Sequence, residues 1–181
     1  MRHQPYLPGL AAPDPAEAAL TRAPDMMDYP DLAGDVLCER GKELGLAGEF
    51  FVDSILTRLG VRFAQFGEHS AFDRLIWIGG RCLRMQIKSR HRMSGTGYHF
   101  EIRKGYQRGP IGTRPYDRGD FDLLALVGLP HDVVRFTSDW RLSHRITTSE
   151  IPQLRARPGA SLSAALQDLG LDPTLDPAAT T

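Results

Sequence analysis

Asp73, Gln86 and Lys88 are residues of the types that hold a cation beside a phosphate, and they lie on two neighbouring segments of the chain. The segment that ends in Gln86-Ile87-Lys88 alternates polar and apolar residues, so Gln86 and Lys88 share one face of a predicted strand. Asp73 belongs to the preceding apolar segment, and Gly79-Gly80 between the two predicts a tight hairpin turn. An antiparallel pair of strands would therefore place the carboxylate of Asp73 opposite the amide and the amine.

A helix predicted over residues 35–59 precedes these strands, and Gly60 is placed to end it. Its apolar stripe is predicted to consist of Leu46, Phe50, Ile55 and Leu59, widened by Phe51 and Val52. Glu49 lies at the edge of that stripe, next to Gly48, whose missing side chain lets another segment come close. Glu39 and Glu43 are the alternatives for an inward-facing acid on this helix.

The order of these elements resembles the PD-(D/E)XK nuclease superfamily, and the Gln-x-Lys form is similar to that of group I intron homing endonucleases. The superfamily's proline is absent, since Phe72 precedes Asp73. The resemblance extends over about residues 39–140. It implies an α/β fold with a restriction-endonuclease-like core, in which helices flank a central mixed β-sheet.

The same resemblance implies a metal-dependent DNA endonuclease that hydrolyses phosphodiester bonds. Its catalytic residues would be Asp73, Gln86, Lys88 and Glu49, and Mg²⁺ or Mn²⁺ would bind to Asp73, Glu49, Gln86 and the backbone carbonyl of Ile87. Lys88 would orient the attacking water or neutralise the charge at phosphorus. Because Gln86 replaces an acid, the site has one negative charge fewer, and we expect one well-occupied magnesium site.

Each of these residues also has a structural interpretation. An acid in a strand usually pairs with an arginine, and a lysine or glutamine on a strand is usually a surface residue. A nucleic-acid-binding protein of the same fold that does not cleave, and a structure-selective Holliday junction resolvase, are the two alternative functions. The residues of the site do not distinguish duplex from branched DNA, or DNA from RNA.

The charge is unevenly distributed along a chain whose formal net charge is zero. Between Arg84 and Arg118 there are nine basic residues and two acidic ones, mixed with glycines and hydroxyl groups as in a loop that follows a phosphate backbone. The predicted nucleic-acid-binding residues are Arg90, Arg92, Arg103, Lys104, Tyr106, Arg108 and Arg114.

A length of 181 residues and a hydrophobic content of 41% suit one domain with a sizeable core. Residues 1–34 predict a flexible, proline-rich acidic leader, residues 35–157 the nuclease-like domain, and residues 158–181 a short helix and a frayed tail. The strands of the domain are predicted at residues 61–66, 71–78, 81–89, 98–102, 121–127 and 133–138.

Other classes of site have no support in the sequence. Cys38 and Cys82 form no CxxC pair, the histidines show no metal-binding spacing, and neither GxSxG nor a Walker A sequence is present. No apolar stretch reaches the roughly 20 residues that span a bilayer. We therefore expect a soluble, cytoplasmic protein with DNA as its partner, no membrane association, and a homo-oligomer if both strands of a duplex are cut.

Overall fold

The computed structural model of the protein describes residues 24–67, 70–105 and 112–172. The chain divides into two compact units, Met1–Glu39 and Arg40–Thr181. In the described part of the first unit, a 3-10 helix, Pro24–Asp28, precedes helix α1, Gly34–Glu39, in which Val36 is buried.

The second unit contains the remaining helices and all the strands of the described residues. Its helices are α2 (Gly41–Arg58), α3 (Ile151–Ala156) and α4 (Pro158–Asp168), with a 3-10 turn at Leu129–His131. Its strands are β1 (Arg62–Gln65), β2 (Arg74–Ile78), β3 (Arg81–Arg90), β4 (Gly97–Glu101), β5 (Arg103–Lys104), β6 (Arg114–Pro115), β7 (Leu123–Gly128), β8 (Val133–Thr137) and β9 (Ser143–Thr147).

Five strands form a central mixed sheet in the order β1-β2-β3-β7-β8. The β3–β7 pair is parallel, and the other three pairs are antiparallel. Strands β4 and β9 form a second, two-stranded sheet, and β5 and β6 form a third. The predicted α/β class with a central mixed sheet flanked by helices is confirmed.

The hairpin between β2 and β3 is built as the sequence predicts. Ile78 pairs with Arg81 across the turn, and Gly79 and Gly80 have positive φ angles of 57° and 72°. A two-residue turn with both φ angles positive matches the right-handed twist of the flanking strands, and glycine adopts it without steric cost.

Asp73 differs from its predicted place, because it lies one residue before β2 rather than inside the strand. Its N–H nevertheless donates to the carbonyl of Met85 at 2.9 Å, so the backbone of Asp73 is still fixed against β3. The carboxylate therefore lies where the strand begins, against β3.

The core lies on both sides of β7, whose six residues are all buried. Leu124 and Leu126 belong to a cluster that also contains Tyr98, Phe100, Ile102, Phe121, Val133, Ile146 and Ile151. Successive side chains of a strand point to opposite faces, so Leu123 and Ala125 face the other way. Helix α2 packs against β3 and β7, and α3 and α4 pack against β8.

The predicted single helix over residues 35–59 is wrong in two respects. The chain leaves the helix at Arg40, whose φ and ψ are −99° and 22°, and Gly41, a poor helix former, follows. The buried face of α2 is Leu44, Gly48, Val52, Ile55 and Leu56, whereas Leu46, Phe50 and Leu59 are exposed. The i, i+4 series through Gly48 is buried because glycine permits the close approach of β3.

The boundary between the two compact units follows Glu39, and α4 packs against β8 within the second unit. The division into a leader, a nuclease-like domain and a tail stays a prediction. Strand β9 and helix α3 were not predicted, since the pairing of β9 with β4 depends on segments distant in sequence. Most of the predicted leader and the end of the predicted tail lie outside the described residues.

We predict that Gly48→Ala destabilises the fold by about 1 to 3 kcal/mol, because a Cβ at Gly48 would lie 1.8 Å from Ser89 Oγ and 2.8 Å from Ser89 Cβ. Gly45→Ala on the same helix is the matched control. Nothing lies within 4 Å of its added Cβ, so alanine there should stabilise α2 by about 0.5 to 1 kcal/mol. Urea denaturation of both variants measures the difference, and equal effects would contradict the packing argument.

Candidate active site where β2 begins

The carboxylate of Asp73 accepts two short hydrogen bonds from β3. Its Oδ2 accepts from the Gln86 amide nitrogen at 2.6 Å and from the Ile87 backbone N–H at 2.7 Å. The predicted juxtaposition of Asp73 and Gln86 is therefore present in the structure. It follows from the register, in which Arg74 pairs with Met85 and the preceding residue faces Gln86.

Oxygen atoms of two residues converge on the amide group of Gln86. Its Nε2 lies 2.6 Å from Asp73 Oδ2 and 3.1 Å from the Ile87 carbonyl oxygen, and Gln86 is buried. Mg²⁺ prefers hard oxygen ligands, and a carboxylate with a backbone carbonyl is such a pair. Asp73 and the Ile87 carbonyl are thus oxygen donors of the type that a divalent cation takes, and in this structure the NH₂ group of Gln86 donates to both. The amide oxygen of Gln86 would join them only after a rotation of the amide.

Burial sets the protonation of Asp73. Desolvation raises the pKa of this carboxyl to about 6, the bond from the Ile87 N–H opposes the rise, and the negative charge of Glu49 adds to it. Lys88 and Arg74 lower the pKa of Asp73 through their positive charges. A positive charge that binds beside Asp73 would thus relieve an unfavourable burial.

Lys88 lies on the same face of β3 as Gln86 and is half-buried. Desolvation lowers the pKa of its amine, the charge of Asp73 opposes that shift, and Arg90 reinforces it. The Nζ lies 5.1 Å from the centroid of the Tyr116 ring, and no residue described here forms a hydrogen bond with it. Lys88 is therefore a desolvated amine whose donor positions are not used by the side chains that the structure describes.

Glu49 is held by an arginine that the sequence analysis did not consider. The side chain of Arg74 is completely buried, and its Nη1 donates to Glu49 Oε2 at 3.0 Å. Its Nε and Nη2 donate to the two oxygens of Asp53 at 2.7 and 2.9 Å, and Nη1 also donates to the Asp73 carbonyl at 2.8 Å. Arg74 thus joins helix α2 to the residue that bears the site's carboxylate.

The predicted nucleic-acid-binding residues fall into three groups. Arg90, Arg92, Arg103 and Arg114 are exposed, at the end of β3 and on the β5–β6 pair. Lys104 donates to Asp117 at 2.7 Å and to Asp120 at 2.6 Å, so two carboxylates neutralise it. Tyr106 and Arg108 lie outside the described residues.

Arg74 and Tyr116 are the residues near the site that the sequence analysis missed, and Arg145, on β9, was not predicted either. Arg145 lies opposite His99 in the β4–β9 pair, and its Nη2 donates to Thr96 Oγ1. The guanidinium of Arg90 donates to the carbonyl of the same His99 at 2.9 Å. The signal available for Arg74 was its position directly after Asp73 in an apolar segment, where a charged residue needs a partner.

The sheet order, the helix α2 and the position of Asp73, Gln86 and Lys88 define a restriction-endonuclease-like fold. Comparison with solved structures gives two matching chains, one of which is a bacterial homing endonuclease, I-Ssp6803I. The alignment covers 70% of this chain and 97% of that one, with a TM-score of 0.54 and 14% sequence identity. No family model and no curated protein matches the sequence.

In the described parts of the chain, no group of three or more His, Cys, Asp and Glu side chains is arranged to hold a metal ion, so a cation at Asp73 would depend on amide and carbonyl oxygens as well. No helix in those ranges is long and apolar enough to cross a membrane.

We predict that Arg74→Met destabilises the protein by about 3 to 5 kcal/mol, because it leaves the carboxylates of Glu49 and Asp53 without their buried partner. The control is Arg40→Met, which removes an exposed pair with Glu43 and should cost less than about 1 kcal/mol. Chemical denaturation at neutral pH compares the two. A similar small loss for both variants would show that the buried pairs do not hold α2.

We predict that Asp73→Asn stabilises the protein in chelator at pH 8, by about 1 to 3 kcal/mol. The folded-state pKa, about 6, lies above the ordinary value of an aspartate. Between those two values the folded protein binds the extra proton, so the wild type loses stability as the pH rises through them. The gap between variant and wild type should vanish below about pH 4, where Asp73 is protonated in both states. Denaturation curves from pH 3 to 8 measure the gap, and a gap independent of pH would contradict this account.

Proposed function

We propose that this protein is a metal-dependent DNA endonuclease with a PD-(D/E)XK-type site. The observation that supports this most strongly is the convergence of the Asp73 carboxylate, the Gln86 amide and the Ile87 carbonyl, with Lys88 on the same face of β3. The fold supports it as well, because the similar solved structure is an endonuclease by name.

Asp73 and the Ile87 carbonyl would hold one Mg²⁺, or Mn²⁺ in its place, with the amide oxygen of Gln86. When bound, the cation supplies Lewis-acid polarisation of the phosphate and lowers the pKa of a coordinated water. Asp73 Oδ1 makes no hydrogen bond with any described residue, so this oxygen is available to a ligand. Glu49 would take part through Oε1, because Oε2 accepts from Arg74.

Lys88 would act on the phosphate and on the attacking water. An ammonium group at this position stabilises the negative charge that develops on the phosphoryl oxygens during in-line attack. Desolvation lowers the pKa of its amine, so Lys88 exchanges its proton more readily than an exposed lysine and can also orient the water. Both roles require that the Nζ is not occupied by another protein group.

The exposed arginines would bind the phosphate backbone of the substrate. Arg90 and Arg92 continue from the strand that contains Lys88, and Arg103 and Arg114 lie on the β5–β6 pair. Contacts of arginine with phosphates give affinity without reading the base sequence. Arg108, Tyr106 and Lys104 remain part of this proposed surface, with Lys104 limited by its two carboxylate partners. Cutting of both strands of a duplex by a chain with one such site would favour a dimer or tetramer.

We predict that Lys88→Ala lowers the rate of metal-dependent cleavage by at least about 100-fold while DNA affinity changes little. Lys42→Ala, on α2, is the control and should cleave like the wild type. The assay uses a supercoiled plasmid and a synthetic four-way junction, each with Mg²⁺, with Mn²⁺ and with chelator. Binding is measured separately in chelator.

The results of this assay distinguish the three candidate functions. Nicking or linearisation of the plasmid that is lost in Lys88→Ala supports the endonuclease. Symmetric cleavage of the junction alone would favour a resolvase. Binding to both substrates without cleavage under any metal would identify a non-cleaving nucleic-acid-binding protein, and cleavage that persists in Lys88→Ala would rule out the proposed site.

A further inference from the structure

The ring of Tyr116 lies close to two of the three lysines in the chain. The Lys88 Nζ lies 5.1 Å from the ring centroid, and the Lys104 Nζ lies 5.8 Å from it. Both distances are within the range in which an ammonium is attracted to the negative face of an aromatic ring. Lys42, on α2, is the third lysine.

Tyr116 is itself fixed to the core. It follows β6 directly, and its ring meets Phe121 edge-on at a centroid distance of 5.1 Å and an angle of 78°. Phe121 is almost fully buried and stacks on Trp140 at 4.3 Å and 3°. The ring is therefore held by an aromatic stack that belongs to the core cluster.

Lys104, the second lysine near the Tyr116 ring, is neutralised by two carboxylates. Lys104 donates to Asp117 and Asp120, and the backbone N–H of Asp117 donates to the same Asp120 carboxylate at 2.7 Å. The segment around Tyr116 is thus anchored both by its ring and by the acidic residues that follow it. Lys88, by contrast, makes no hydrogen bond with the described residues, and its ammonium lies near the face of the Tyr116 ring and the negative charge of Asp73.

We propose that Tyr116 is a positioning residue that holds the Lys88 ammonium on the Asp73 face of β3 through the face of its ring. The inference rests on the proposed endonuclease function for its effect on catalysis, but the contact itself does not. A lysine has four rotatable bonds beyond its Cα, and its ammonium is effective only when its position is fixed before the substrate binds. The role requires an aromatic ring and does not require the hydroxyl group.

Three variants separate positioning from packing. Tyr116→Phe keeps the ring and removes the hydroxyl. Tyr116→Leu removes the ring and keeps an apolar side chain beside Phe121. Trp140→Leu removes the other aromatic neighbour of Phe121, and among the described residues no cation–ring contact joins Trp140 to Lys88.

The first measurement is an NMR spectrum of the full chain with ¹³C-labelled lysine, which gives signals from only three lysines. In the wild type we expect the ε-methylene protons of Lys88 to resonate upfield of those of Lys42, because the Lys88 protons lie near the face of the Tyr116 ring. The displacement should persist in Tyr116→Phe and Trp140→Leu and be lost in Tyr116→Leu. A Lys88 signal at the position of Lys42 in the wild type would overturn the proposal without the need for any variant.

The second measurement is single-turnover cleavage of the preferred DNA substrate. Tyr116→Leu should lower the rate of the chemical step by about 10- to 100-fold with little change in DNA affinity. Tyr116→Phe should retain most of the wild-type rate. Trp140→Leu should lower thermal stability without this loss. An unchanged rate in Tyr116→Leu, or an equal loss in Tyr116→Phe, would overturn the positioning role. A wild type that never cleaves, but whose Lys88 signal is displaced, would overturn the endonuclease function and leave the contact intact.

Discussion

The completely buried guanidinium of Arg74 connects the helix, the sheet and the site. It binds both oxygens of Asp53 and one of Glu49 on α2, and it donates to the carbonyl of Asp73. Adjacent residues of an extended chain point to opposite sides, so fixing Arg74 toward α2 turns the side chain of Asp73 toward Gln86. A buried ion pair gives little net stability relative to apolar packing, but it strongly opposes any arrangement that leaves one partner unpaired. Its main effect here is on the orientation of the two neighbouring residues.

With Asp73 fixed in this way, the side chain of β3 that donates a hydrogen bond to its carboxylate is the uncharged amide of Gln86. Asp73 is buried enough that its pKa rises to about 6, and the amide of Gln86 offers it hydrogen bonds without a positive charge. An acid at position 86 would place a second negative charge beside the Asp73 carboxylate, whereas Gln86 places a neutral group there. Among the described residues, Asp73 is the carboxylate that lies at the point where these oxygens converge.

The rest of the fold places basic and aromatic groups around this point. The parallel pairing of β3 with β7 buries the apolar residues of both strands, and the β4–β9 pair covers Leu124 and Leu126. Between β4 and β7 in the chain, strand β6 leads directly to Tyr116, and the Lys88 Nζ lies 5.1 Å from the centroid of the Tyr116 ring. Exposed arginines lie at the end of β3, the strand that contains Lys88, and on the β5–β6 pair, which Tyr116 follows.

The sequence by itself determined the local part of this site. Alternation in Gln86-Ile87-Lys88 and the glycine turn at Gly79-Gly80 fix which residues face Asp73, because both depend on contacts between segments only a few residues apart. Tertiary structure alone decided the partners of Arg74, the buried face of α2, the pairing of β9 with β4 and the position of Tyr116 over Lys88. Each of these joins residues distant in sequence, and no local pattern specifies which of many arginines, acids or aromatic rings will meet. Helix α2 is the clearest example. Its apolar residues predicted a buried face through Leu46 and Phe50, but α2 buries the face that contains Gly48, where Ser89 of β3 comes close.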